Sequence, residues 1–456
     1  MVGPAPLALA GRLGASLCRS GGQCPAARVP RSVNPPDPVR VTALETIRLA
    51  EYPNLLWVEI ETDEEIVGLG ETFFGAQAVT AYLHESVAPT LLGGDPTRIE
   101  HWSRKLAGYL GRGSSAAETR GNSAVDIALW DILGQLSGQP LYVLLGGRTR
   151  EEIRTYNTCA GPRYIRERPE QSSVNWGIDT DDTPEPYDDL RGFLTDAGEL
   201  AADLLSEGIT AMKIWPFDLA AEATEGAFIT SAQLSAALEP IEKIRQRVGY
   251  EIDVMIELHS LWSVPAARTI ARALADYSPL WLEDPVPMGN VEAVAAVAGA
   301  SAVSVAGGET LASRRLFRQL LERQALGVLI LDVSWVGGLT EALKVSALAD
   351  SFGVPVAPHD CTGPVVLAAS THLSASLPNA IMQEAVRASY RGWYRELVSD
   401  LPPISGGTVR PLEAPGLGVR LHPGLRERAD AQVTSSRLEH GEPVTRPPHA
   451  GGAARR

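Results

Sequence analysis

Three acidic residues recur at a fixed interval in the middle of the chain. Glu257, Glu283 and Glu309 are equally spaced along the sequence, and each ends a short apolar run. Ala-rich segments of helical period lie between them. A strand, a helix and two short loops fill such an interval in a (β/α)₈ barrel, whose chemistry lies at the carboxyl ends of the strands. We therefore expect three carboxylates at one barrel mouth, a set of hard oxygen ligands that suits Mg²⁺.

Polar residues at three later strand ends continue this spacing. The runs GVLILDVSW, VPVAPHD and AIMQEAV have their polar ends at Asp332, His359 and Glu384, at intervals close to the one that separates the glutamates. Two earlier runs, IRTYNTCAG and ITAMKIWPF, predict the first two strands of the same series. The sustained alternation of strands and helices predicts a barrel over residues 151–395.

A different pattern precedes the barrel. Between residues 38 and 150, two segments alternate apolar and polar residues, as half-buried antiparallel strands do, and helical stretches follow them. This order predicts an α+β capping domain. Phe73 and Phe74 lie in a loop just after the strand pair, where they either contact substrate over the barrel mouth or pack between the two domains.

The two ends of the chain lack such patterns. The first 36 residues contain four Arg and no acid, which is typical of a transit peptide, but frequent Gly and Pro disfavour the amphipathic helix of such a peptide. We therefore predict a disordered extension over residues 1–37. Residues 424–456 are polar and aperiodic, and we predict a disordered tail there.

The composition disfavours several functional classes. The chain has 456 residues, of which 45% are hydrophobic and 21% charged, as in an ordinary globular protein. Its net charge of −15 argues against nucleic acid as a partner. No run approaches the roughly 20 apolar residues of a membrane helix, so no membrane partner is expected. The four Cys form neither a metal-spaced pair nor a disulfide framework, which favours a cytoplasmic protein.

Several phrases together resemble the mandelate racemase/muconate lactonizing enzyme family of the enolase superfamily. They are GLGET at 68–72, SAVDIALWDILGQLSGQPLYVLLGG at 123–147, MKIW at 212–215, WLEDP at 281–285, GGET at 307–310, DVSWVGG at 332–338 and APHD at 357–360. The resemblance implies a modified (β/α)₇β TIM-like barrel with an N-terminal α+β capping domain, and a segment over residues 396–423 that returns to the cap. It also implies a required Mg²⁺, proton abstraction next to a carboxylate, and a homo-oligomer.

The resemblance assigns a metal site and a general base. Glu257, Glu283 and Glu309 are the expected Mg²⁺ ligands, although the family usually has Asp at the first position, so Glu257 is a departure. His359 is the expected base and Asp332 its partner, because an Asp that accepts from one ring nitrogen fixes the tautomer and raises the basicity of the other. Such a pair occurs in the racemase-like branch of the family.

The remaining candidates surround the substrate. Lys213 is expected to place positive charge on the substrate carboxylate, and Trp215, on the same strand face, to line the sugar pocket. The family often has a second Lys at the latter position, so its absence argues against two-base racemisation. His259 is either the acid that protonates a departing hydroxyl or a hydrogen-bonding residue. Glu384 resembles the acid that hydrogen-bonds the substrate carboxylate.

These residues predict a Mg²⁺-dependent dehydratase of an acid sugar, a small-molecule carboxylate. It would remove the proton alpha to the carboxylate, eliminate the 3-hydroxyl and release a 2-keto-3-deoxy acid. A cycloisomerase of a sugar lactone or anhydro-sugar acid would use the same metal and base. A non-catalytic relative that kept the barrel, and a metal-dependent barrel aldolase, are further alternatives.

Overall fold

The computed structural model describes residues 38–108, 116–166, 168, 172–178 and 185–450. The strands are β1 (Val41–Leu49), β2 (Leu55–Thr62), β3 (Val67–Phe73), β4 (Ile153–Thr158), β5 (Ala211–Ile214), β6 (Asp253–Glu257), β7 (Trp281–Glu283), β8 (Val305–Gly307), β9 (Val328–Leu331), β10 (Val356–Pro358), β11 (Gln383–Ala385), β12 (Ile404–Ser405), β13 (Thr408–Val409), β14 (Ala431–Glu439) and β15 (Glu442–Ala450).

Helices connect most of these strands, and within the described ranges each is too short or too polar to cross a membrane. They are α1 (Ala76–Tyr82), α2 (Ala88–Leu91), α3 (Ile99–Leu106), α4 (Ala117–Ser137), α5 (Leu141–Leu144), α6 (Asp189–Ser206), α7 (Asp218–Thr224), α8 (Ser231–Val248), α9 (Val264–Leu274), α10 (Val291–Ala298), α11 (Arg314–Glu322), α12 (Gly338–Ser351), α13 (Pro364–Ser376), α14 (Arg387–Arg391) and α15 (Tyr394–Leu397).

The first three strands belong to an antiparallel sheet with the order β15-β14-β1-β2-β3. One face of this sheet packs on α4, and two glycines of the GLGET phrase permit the close approach. A Cβ at Gly68 would lie 2.2 Å from the carbonyl oxygen of Ala128, and one at Gly70 would lie 1.9 Å from that of Ala124. The two glycines of this phrase are therefore required for sheet–helix packing, and the phrase also supplies the acid Glu71.

The prediction of a disordered tail over residues 424–456 is wrong for the described residues 424–450. β14 pairs with the edge of β1, with Val433 opposite Ile47, and β15 pairs with β14. The polar residues of this segment have partners on the sheet, since Arg437 forms ion pairs with Glu45 and Glu61. Strand pairing and ion pairs thus order a segment with little apolar periodicity. The predicted extension over residues 1–37 lies outside the described residues.

A buried histidine links these strands to the helical part of the cap. His84 Nε2 lies 2.9 Å from Thr46 Oγ1 on β1, and His84 Nδ1 lies 2.8 Å from Ser436 Oγ on β14. Burial, partly opposed by Glu45, lowers the pKa of His84 from its ordinary value of 6.5 to about 4. The imidazole is therefore neutral in the folded protein at neutral pH.

This lowered pKa predicts a loss of stability in mild acid. Below pH 6.5 His84 binds a proton in the unfolded chain but stays largely neutral in the folded protein. The free energy of unfolding therefore falls as the pH drops toward 4. Between pH 7.5 and 5 we expect His84 to account for a loss of about 2 kcal/mol. Urea unfolding of wild type and His84→Gln at both pH values measures it. The variant should lose less stability on acidification, whereas His101→Gln, at an exposed site, should behave as wild type; equal losses in His84→Gln and wild type would refute the assignment.

The parallel strands confirm the predicted modified (β/α)₇β barrel. β4 to β10 are neighbours in chain order, each is followed by at least one helix, and β11 closes the circle by pairing with β4. A bridge between Val356 and Ala380 connects β10 to the chain just before β11. Buried side chains from β4 to β10, and one from just before β11, fill the interior: Tyr156, Ala211, Met255, Trp281, Ala306, Val328, Ile330, Ala357 and Met382.

The cap is fastened to the barrel beside its mouth by the acid of the GLGET phrase. Glu71 Oε1 accepts hydrogen bonds from the backbone N–H groups of Val365 (3.1 Å) and Val366 (2.9 Å) in the first turn of α13. Its other oxygen accepts from Trp57 Nε1 at 2.7 Å. Burial raises the pKa of Glu71 to about 8, although these donors oppose the shift. This contact holds the residues after β3 over the strand ends.

Candidate active site

Three glutamates lie together at the carboxyl ends of neighbouring strands. Glu257 ends β6, Glu283 ends β7, and Glu309 comes just after the end of β8; Glu257 and Glu283 are directly paired in register. One carboxylate oxygen from each lies within 4.8 Å of the other two, and the three side chains are buried. The structure therefore brings the three predicted ligands into one cluster.

The surroundings of the cluster fit a divalent cation. Trp281 Nε1 donates to Glu283 Oε2 at 2.7 Å, and the backbone N–H of His259 donates to Glu257 Oε1 at 2.6 Å, while Glu257 Oε2 is buried without a hydrogen-bond partner. Burial, partly opposed by Lys213, raises the pKa of Glu283 to about 8. Concentrated negative charge and an unsatisfied carboxylate oxygen are what a hard cation would neutralise.

Lys213 is the cation nearest to this cluster among the described residues. Its Nζ lies 2.8 Å from Glu283 Oε1, 3.1 Å from Glu384 Oε1 and 3.5 Å from Glu257 Oε2. Burial alone would lower the pKa of Lys213, but Glu283 and Glu384 raise it well above its ordinary value. The ammonium group is thus charged and buried at the floor of the site.

Glu384 lies on the last barrel strand and is surrounded by donors. Its carboxylate accepts from Thr158 Oγ1, from Tyr156 Oη at 3.3 Å and from the backbone N–H of Asp360 at 2.9 Å. Burial would raise the pKa of Glu384, but Lys213 and His359 together lower it to about 2. Sequence reasoning did not identify Thr158 or Tyr156, which read as ordinary residues of a buried strand.

His359 and Asp332 lie at the ends of adjacent strands and form a hydrogen-bonded pair. His359 Nδ1 is 2.7 Å from Asp332 Oδ2, while Asp332 Oδ1 accepts from the backbone N–H and the hydroxyl of Ser334, both at 2.6 Å. His359 Nε2 therefore faces the cluster, 3.4 Å from Glu309 Oε2. Although burial opposes it, the negative charge of Glu309 and Glu384 raises the pKa of His359 well above its ordinary value.

His259 forms a second pair of this kind, with a partner that sequence reasoning missed. Its Nδ1 lies 2.7 Å from Asp218 Oδ2, at the start of α7. Burial alone would lower the pKa of His259, but the negative charges of Asp218 and Glu257 outweigh this effect and raise the pKa to about 10. Asp218 lies much earlier in the chain, where α7 begins shortly after β5, and nothing in its sequence context marks it.

Aromatic side chains line a cavity at the strand ends, which Glu309 and His359 also line. Phe73 and Phe74 touch edge to face with ring centroids 4.6 Å apart, and Phe74 stacks on Trp335, whose ring lies 5.2 Å from that of His359. Both phenylalanines line this cavity, and Phe74 also packs on Trp335 of the barrel, while contact with substrate stays a prediction. Sequence reasoning gave no role to Trp335.

Trp215 forms the opposite wall of the cavity. Its indole is buried against Tyr164, with centroids 5.1 Å apart, and against Phe193 at 5.2 Å. It also makes a T-shaped contact with His259, with ring centroids 5.9 Å apart. A buried indole, which cannot accept a proton as a base would, therefore lies beside the imidazole of His259.

The chain is similar to proteins of known family along most of its length. Residues 27–146 match the mandelate racemase/muconate lactonizing enzyme N-terminal domain, and residues 196–425 match the enolase C-terminal domain-like family. A D-galactonate dehydratase of Ralstonia nicotianae is 32% identical over 396 residues, which cover 85% of this chain and 93% of that protein. One from Cronobacter sakazakii is 31% identical, covering 84% and 92%.

Solved structures agree with this result. An enolase of the mandelate racemase subgroup from Agrobacterium tumefaciens is 47% identical, with a TM-score of 0.77 over 87% of this chain and 99% of that chain. An enolase protein from Sargasso Sea environmental sequence is 44% identical, with a TM-score of 0.78 over 88% and 100%. The capping domain and the barrel thus have the same relatives. The chain belongs to the mandelate racemase/muconate lactonizing enzyme family of the enolase superfamily.

Proposed function

We propose that this protein is a Mg²⁺-dependent dehydratase of an acid sugar, which releases a 2-keto-3-deoxy acid. The observation that carries the proposal is the His359–Asp332 pair, whose free ring nitrogen faces three buried glutamates. Relatives named D-galactonate dehydratase, at 30–32% identity, support a hydro-lyase acting on a sugar acid.

Glu257, Glu283 and Glu309 would hold the metal ion. A bound Mg²⁺ would stabilise negative charge on the substrate carboxylate as it grows, and would offset the glutamate charge that keeps a proton on His359. Lys213 adds a fixed positive charge on the floor of the same site. An acid-sugar carboxylate placed here would itself raise the pKa of nearby Glu384 and so favour the protonated form that its expected donor role requires.

His359 then removes the proton from C2, since Asp332 accepts from Nδ1 and leaves Nε2 free to take it. The C2–H electron pair enters the enediolate, and the C3–O bond breaks as His259 donates a proton to the leaving hydroxyl, which departs as water. After the proton on His359 has exchanged with solvent, His359 protonates C3, the enol loses its O–H proton to solvent, and His259 is reprotonated from solvent. One water is lost and both imidazoles end as they began.

The proposal is tested by a panel of aldonic, aldaric and uronic acids with Mg²⁺, beginning with D-galactonate. Trapping with semicarbazide detects a 2-keto-3-deoxy product. We expect at least one acid to give this product and His259→Asn to give less. Exchange of the C2 proton without keto product would instead favour the cycloisomerase, in which the same base acts but an internal C–O bond is affected. If the protein bound metal but gave neither keto product nor C2 exchange with any acid, the proposal would be contradicted.

A further inference from the structure

Asp218 is a buried carboxylate with a single partner. The residue is 6% exposed; Oδ2 contacts His259 Nδ1 at 2.7 Å, and Oδ1 has no hydrogen-bond partner. Asp332, the corresponding acid of the first pair, is also held by Ser334 through two further hydrogen bonds. Burying a carboxylate with one partner destabilises the fold. The contact that Asp218 makes in this position is the hydrogen bond that orients His259.

The strand does not direct His259 into the cavity. β6 ends at Glu257, and both His259 (φ 47°) and Ser260 (φ 60°) adopt the left-handed conformation, which is uncommon for residues other than Gly, Asn, Asp and His. His259 therefore lies beyond the strand, and the alternation of strand side chains does not place it on the same face as Glu257. The orientation of the ring is set by what it touches, namely Asp218 through Nδ1 and the ring of Trp215.

With Nδ1 engaged, Nε2 is the ring nitrogen left for the cavity, which His259 lines together with His359. The two histidines follow the third and the seventh barrel strands, β6 and β10, so they approach the substrate from opposite sides of the mouth. One pair can then act on the C2 proton while the other acts on the 3-hydroxyl.

We propose that Asp218 is the positioning residue of a second His–Asp pair, which holds His259 Nε2 toward the leaving hydroxyl. This inference rests on the proposed function and divides its two chemical steps between the two pairs. Loss of Asp218 should therefore slow elimination and leave proton abstraction by His359 intact.

The experiment separates these two steps. The substrate is the acid of the panel that wild type turns over fastest. It is incubated in D₂O with Mg²⁺ and one of four variants: Asp218→Ala, Asp218→Asn, His259→Asn or the double variant Asp218→Ala/His259→Asn. NMR follows deuterium at C2 of the remaining substrate and the appearance of keto product. For the Asp218 variants we expect product formation to fall about 10- to 100-fold, with C2 exchange within about threefold of that in His259→Asn. The double variant should be no slower than His259→Asn, because both changes remove one function.

The control is Asp126→Asn, another buried acid with an unpartnered oxygen, which accepts from the backbone N–H of Thr340 outside the site. It should change both rates equally or neither. Unchanged product formation in Asp218→Ala, equal losses of exchange and product, or additive losses in the double variant would each overturn the inference while wild type still forms product. Absence of product from wild type with every acid would overturn the proposed function and this inference together.

Discussion

Replacing His359 with asparagine should lower the dehydration rate by about 10⁴-fold, the upper range for a general base, and abolish C2 proton exchange. The ring hydrogen-bonds to Asp332, lies near Glu309 and packs on Trp335, and Asp332 keeps its hydrogen bonds from Ser334. The fold should therefore survive the change. Steady-state kinetics and deuterium exchange into C2 measure the effect, and circular dichroism with thermal unfolding verifies folding.

His440→Asn is the matched control for this variant. His440 is exposed and has a φ of 53°, a conformation that asparagine tolerates. It should leave both rates unchanged. A His359→Asn protein that still exchanges the C2 proton at the wild-type rate would show that another group is the base.

Glu309→Gln should remove the effect of Mg²⁺ on both stability and activity. In the metal-free protein the three glutamates repel one another, and burial raises the pKa of Glu309 despite the opposing effect of His359. Removing one buried charge should therefore raise the metal-free unfolding temperature. Wild type should instead gain about 2.7 kcal/mol when Mg²⁺ is present at about 100 times its Kd.

Thermal unfolding with EDTA and with Mg²⁺ tests this expectation, together with activity, which should fall by at least about 10³-fold in the variant. Glu239→Gln, on the exposed side of α8, should keep the wild-type response. If Mg²⁺ stabilised Glu309→Gln as much as wild type, the cation would be bound elsewhere.

The barrel was predictable because its spacing repeats. Equally spaced acids come together at one mouth when each ends a strand of one closed parallel sheet, and strands β6 to β8 have this arrangement. The same reasoning placed His359 beside Asp332, since adjacent strands bring their ends together. The periodicity of the sequence thus predicted both the parallel sheet and the residues that lie at the mouth of the barrel.

Partners that lie across the fold were not predictable in this way. The pairing of Asp218 with His259 depends on a short helix after β5 and on left-handed residues after β6, which no local pattern records. The strand β14 was missed because its order comes from the edge of β1 and from ion pairs of Arg426 and Arg437. A segment's own sequence shows which of its faces is apolar, and does not show what that face or its charges will meet.

The most direct test of the account is the isotopic pattern of the product formed in D₂O. The acid that wild type turns over is converted to completion with Mg²⁺, and the product is identified by NMR and mass spectrometry. We predict a 2-keto-3-deoxy acid, one water lighter than the substrate, with a single solvent-derived deuterium at C3 in one configuration. A product that keeps every oxygen of the substrate, or a keto acid without deuterium at C3, would contradict proton abstraction followed by loss of the 3-hydroxyl.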